Sequence, residues 1–90
     1  MTAVNAVPRR VANLDIGTMQ DGYIIFQPQL DRVYYLNGSA VLILELSNGR
    51  NTVPEIAGLV QQAFALPEAP LVAVRNAVAQ LSQQGLLEPS

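Results

Sequence analysis

The side chains that could carry chemistry in this chain are few and dispersed. Seven acids stand at Asp15, Asp21, Asp31, Glu45, Glu55, Glu68 and Glu88, and five arginines at Arg9, Arg10, Arg32, Arg50 and Arg75. Tyrosines occupy positions 23, 34 and 35, and there is no His and no Cys. General acid–base work by a carboxylate pair needs two acids brought into one cleft; these fall singly in segments that read as turns, caps and ends. Without His or Cys no Ser/His/Asp or Cys/His nucleophile system can be assembled, and the commonest metal ligands are missing. The glycines are too far apart for a phosphate cradle. The expectation is therefore a chain that is not an enzyme, with no catalytic residues, no cofactor and no metal.

Binding is what such a chain can offer. Phosphate neutralisation supplies most non-specific nucleic-acid affinity, but here the formal net charge is −2 and only Arg9 and Arg10 adjoin. Nucleic acid is not an expected partner. No apolar run reaches the ~20 residues of a transmembrane helix, and the N-terminus lacks a signal-peptide core. The expectation is no membrane partner and a cytoplasmic location.

Two segments stand out as contact surfaces. Arg32–Leu36 (RVYYL) has strand composition but no Lys, Pro or obvious bulge, the devices that usually guard a sheet edge. Its paired tyrosines give amphipathic contact area at little entropic cost. Arg32, Val33, Tyr34, Tyr35 and Leu36 are thus candidate contact residues. The plainer alternative has Tyr34 and Leu36 pointing into the core and Val33 and Tyr35 covering the other face. On the last helix, Val72, Arg75, Ala79 and Ser82 fall on a flank beside the apolar stripe at 100° per residue. Small side chains there would leave a shallow channel, with Arg75 available to a carboxylate; the alternative is a solvated flank.

Ninety residues, 50% apolar and 13% charged, make one domain with a modest core. Residues 1–9 read as a flexible tail and residues 10–88 as the domain. A short extended stretch at Arg10–Asp15 precedes turn chemistry at Gly17 and Asp21-Gly22. Gly22–Gln27 (GYIIFQ) and Arg32–Leu36 read as strands of a hairpin joined through Pro28. Asn37-Gly38 is ambiguous. It could turn a hairpin into a third strand, or Asn37 or Ser39 could cap a helix with Ala40, Ile43, Leu44 and Leu46 on its apolar side. Thr52 and Glu55 have capping-box spacing, with Pro54 in the first turn, opening a helix to about Ala65. Its apolar stripe is Ile56, Leu59, Val60, Ala63 and Phe64. A last helix spans about Leu71–Gln84 with Leu71, Val74, Ala77, Val78 and Leu81 as core, and Gly85 ends it so that Leu86-Leu87 close the core. The class is α+β with strands in the N-terminal half.

Three motifs carry a family resemblance. They are Val33, Leu36, Asn37 and Ala40 as V-x-x-L-N-x-x-A; Gly49, Thr52, Val53, Glu55 and Ile56 as G-x-x-T-V-x-E-I; and Leu81, Gly85, Leu86 and Leu87 as L-x-x-x-G-L-L. Across about Arg10 to Glu88 the chain resembles the family of the pyrroloquinoline quinone biosynthesis protein D, the small recognition domains of ribosomally made, post-translationally modified peptide pathways. Asn48-Gly49 departs from the family's frequent Asp-Gly, and Asn suits that turn equally. The resemblance implies a winged helix-turn-helix-like fold, three N-terminal antiparallel strands followed by three helices, with Asn37-Gly38 opening a helix. It also implies a peptide chaperone. The leader segment of a precursor peptide adds as a strand beside the third strand and settles against the third helix. A peptide-modifying enzyme, radical SAM in many such pathways, then acts on the tethered core. The strand carries over to Arg32–Leu36 and the helix to Leu71–Gln84. The competing readings are a winged-helix DNA-binding protein, which the acidic balance opposes, and a subunit that only stabilises an enzyme. An open edge can also pair with a second copy, giving a homodimer.

Overall fold

The computed structural model describes residues 7–88. Its sheet has three antiparallel strands in the order β1 (Asp15–Met19), β2 (Gly22–Gln27) and β3 (Arg32–Leu36). The strand at β1 lies later than the extended stretch expected at Arg10–Asp15. Gly17, expected in a turn, sits in mid-strand, and the turn is made by Gln20 and Asp21 instead. Packing explains the exchange: a Cβ on Gly17 would come 3.1 Å from Ile24 Cγ2 across the ladder. Gly22 is required on the other side of the turn, because a Cβ there would meet the Leu36 carbonyl oxygen at 2.7 Å. A 3-10 turn at Pro28–Leu30, closed by Asp31 in the left-handed region (φ 50°), returns the chain into β3.

Asn37-Gly38 opens a helix. The Asn37 side chain accepts from the Ala40 amide at 2.8 Å and caps α1 (Gly38–Leu46). The apolar side expected from Ala40, Ile43, Leu44 and Leu46 proves broader. Val41, Ile43 and Leu44 are buried and Leu42 and Leu46 half-buried, because α1 packs against the sheet on one side and two helices on the others. Ser47 ends it, fully buried, with its hydroxyl donating to the Ile43 carbonyl at 2.7 Å.

The capping box at Thr52 and Glu55 is present and starts α2 (Val53–Ala63). Its buried side is Ile56, Ala57 and Val60, whereas Leu59 and Phe64, expected in the stripe, are 38% and 48% exposed. The apolar stripe is thus rotated towards Ala57. The last helix, α3 (Leu71–Gln83), buries Val74 and Leu81 and half-buries Ala77 and Val78, while Leu71 stays 36% exposed. After it Leu86 and Leu87 turn into the core at 0% and 6% exposure, as their position after Gly85 required.

The expected tail at residues 1–9 is shorter at its inner end. Pro8 accepts from the Gly49 amide at 2.9 Å, and the Arg9 carbonyl accepts from the Glu88 amide at 2.7 Å. Residues 1–6 of that tail lie outside the described residues. Arg10 bridges to Leu87, so the first and last described segments run side by side. No helix among the described residues is long and apolar enough to cross a membrane.

Candidate functional site

Alternation decides what β3 presents. Directly paired residues of an antiparallel ladder share a face. Tyr34 pairs with Ile25 and Leu36 with Tyr23, so both lie on the inner face with the fully buried Ile25. Arg32 pairs with Gln27, which is only 4% exposed, and so shares that face. Val33 and Tyr35 pair with Phe26 and Ile24 on the outer face, and are 45% and 69% exposed. The plainer orientation drawn from the sequence is the one observed. A side chain can point into the core while its backbone stands at a rim.

That rim is open. Every residue of β3 pairs with β2 on one side, and no described segment pairs with it on the other. Beside it lies the end of α3. Gln84 is the C-cap, Gly85 follows with φ 79°, the Leu86 amide donates to the Leu81 carbonyl at 3.0 Å and the Gly85 amide to Ser82 at 3.0 Å. This is the glycine-terminated wrap that ends many helices. It leaves the carbonyls of Gln84 and Gly85 without intrahelical donors, and the sheet supplies them. The Tyr34 hydroxyl donates to the Gln84 carbonyl at 2.7 Å, and Gln27 Nε2 to the Gly85 carbonyl at 3.0 Å. These two bonds strap the end of α3 to the inner face of the sheet. The remaining side-chain carbonyl oxygens of Gln27 and Gln84 are buried there without a hydrogen-bond partner.

Arg32 stands over the same strap, exposed, with Nη1 donating to the Tyr34 hydroxyl at 3.5 Å. On α3, Val72 is 67% exposed, and Arg75 and Ala79 are exposed as well. The helix therefore offers the flank drawn from its periodicity. The structure joins Arg32, Tyr34 and the end of α3 into one cluster through hydrogen bonds; Val72, Arg75 and Ala79 share a helix face further along α3 and are not joined to it by any. Sequence reasoning missed Gln27 and Gln84. Extending the alternation of Tyr23 and Ile25 by one step would have placed Gln27 inside, but no local signal marks a helix-end carbonyl as its partner.

The solution NMR structure of the PqqD truncation of Methylobacterium extorquens PqqCD is similar over 99% of this chain and 96% of its own, at 25% identity and a TM-score of 0.70. That protein represents a functional, stand-alone recognition element for ribosomally synthesized and post-translationally modified peptides. None of the curated proteins matches the chain. The three-stranded sheet followed by three helices is the fold the motifs implied, and the model of one family matches residues 22–87, from β2 through α3 to Leu87: the chain belongs to the coenzyme PQQ synthesis protein D family.

Proposed function

We propose that this chain is a non-catalytic peptide-binding module of the cytoplasm. It captures the leader segment of a ribosomally made precursor by strand addition to β3 and presents the rest of the peptide to a modifying enzyme, of the radical SAM class in many pathways of this kind. Family membership and the likeness to a recognition element support the peptide-recognition role. The observation that carries the mechanism is the unpaired side of β3 lying beside the strapped end of α3.

Magnitudes say which parts must contribute. Three to five backbone hydrogen bonds at about 0.5–1.5 kcal/mol each give roughly 2–7 kcal/mol. Two buried apolar peptide side chains add about 1.5–3 kcal/mol apiece. Ordering a disordered leader costs about 2–5 kcal/mol. Micromolar affinity needs about −8 kcal/mol, so the ladder alone falls short and side chains must supply the difference. They must also supply specificity, because main-chain bonds read no sequence. We assign that task to Val72, Arg75 and Ala79 on α3 and to Tyr34 and Leu36 on β3. Tethering then raises the local concentration of the core peptide at the enzyme to as much as about millimolar.

The test is selection of a random ten-residue peptide display library on the folded protein, followed by titration of a synthetic selected peptide into isotopically labelled protein. Backbone amide shifts concentrated in β3, with side-chain shifts on α3, are expected. Selected peptides that bind with β3 amides unmoved would overturn strand addition at this edge.

A further inference from the structure

We infer that the peptide strand accepted by β3 carries a carboxylate at the position beside Arg32, with apolar residues two and four positions away. This deepens the strand-addition reading and rests on it. Arg32 is the first residue of β3, on the inner face, as its pairing with Gln27 requires. The one hydrogen bond of its side chain among the described residues is to the Tyr34 hydroxyl at 3.5 Å. The single ion pair among the described residues lies elsewhere, between Arg10 Nη1 and Glu45 Oε1 at 3.6 Å. Asp31, its neighbour in sequence, makes no ion pair with it.

The two elements joined by the strap lack acids. Neither β3 (RVYYL) nor α3 (LVAVRNAVAQLSQ) contains Asp or Glu, although the chain as a whole has more acids than bases. Each instead carries one exposed arginine, Arg32 or Arg75. On the β2 side, the neighbour of Arg32 is the neutral Gln27, whose Nε2 is committed to the Gly85 carbonyl. The guanidinium is therefore met by no charge from the strand it already pairs with, and the side left open is the one a peptide would fill.

Register turns this into a pattern. A strand added to β3 places alternate side chains on the inner face, beside Arg32, Tyr34 and Leu36 in turn. Tyr34 and Leu36 are half-buried and present apolar surface there. The complementary peptide has an acid beside Arg32 and apolar side chains beside the other two. The acid thereby reports the register of the added strand, which the repeating main-chain ladder cannot do by itself.

The experiment compares a library-selected peptide with its acid-to-lysine variant, titrated by fluorescence anisotropy against the wild-type protein, Arg32→Gln and Arg32→Glu. Cross-strand opposite charges predict a preference of about two- to fivefold for the acidic peptide on the wild type. Arg32→Gln should abolish the preference while β3 amides still shift on binding. Arg32→Glu should reverse it. Arg32 is exposed, so both variants should fold, and the amide spectrum of Arg32→Gln checks that directly. Equal binding of both peptides to the wild type, or a preference unchanged in Arg32→Glu, overturns the acidic reading while retained β3 shifts keep strand addition standing. Peptides that leave β3 unmoved overturn the underlying reading instead.

Discussion

Tyr34 is the residue on which sheet and helix agree. Its ring covers the core beside Ile25, and its hydroxyl closes an otherwise open helix-end carbonyl. Tyr34→Phe keeps the ring and removes the donor, leaving the part-buried Gln84 carbonyl short of a partner. The expected loss is about 0.5–1.5 kcal/mol in urea unfolding with an unchanged slope. An unchanged midpoint would mean that the strap contributes nothing. Half of this residue's role was legible in the sequence. Period-two alternation put Tyr34 and Leu36 on one face once RVYYL was read as a strand, and the plainer of the two readings turned that face inward. The hydroxyl's partner was not legible, because it is a main-chain carbonyl fifty positions away and every residue type supplies that atom. Gln27 was overlooked for a related reason: a polar residue ending a strand reads as solvent-facing unless the helix end that covers it is already known.

At the scale of elements, boundaries were legible where a side chain caps the backbone and illegible where only packing decides. Thr52 and Glu55 announce α2 in four residues. Asn37-Gly38 supports either a turn or a cap, and the difference lies in whether α1 has partners on several sides. It does, which is also why the one-sided stripe drawn for α1 was too narrow. The end of α2 offers a test. The Leu66 amide donates to the Gln61 carbonyl at 2.9 Å, and the residue carrying the left-handed turn is Ala65, with φ 53°. An L-residue with a Cβ is strained there, and the equivalent position after α3 is a glycine. Ala65→Gly should therefore stabilise the protein by about 0.5–1 kcal/mol, even after the added freedom of the unfolded chain. Thermal melting should rise by about 2–6 °C; a fall would show that unfolded-state entropy outweighs the relieved strain.

At the scale of the molecule, one small core joins the sheet to all three helices. Ile25 comes from β2, Leu44 from α1, Ile56 from α2, Val74 and Leu81 from α3, and Leu86 from the closing segment. Small domains hold only about 5–15 kcal/mol of stability in total. Leu81→Asp would bury a carboxylate with no partner in that core, at 2% exposure, and should abolish cooperative unfolding by circular dichroism at neutral pH. A retained cooperative melt would remove Leu81 from the core.

The side-by-side terminal segments have a consequence for synthesis. Arg10 pairs with Leu87, and the Val11 amide donates to the Leu86 carbonyl at 3.0 Å, so nearly the entire chain separates these partners. During translation Arg10 and Val11 leave the ribosome well before these partners and are among the last residues of the domain to be fastened. The hairpin of β2 and β3 needs only local partners, but this closure has to wait until Leu86 and Leu87 have cleared the exit tunnel.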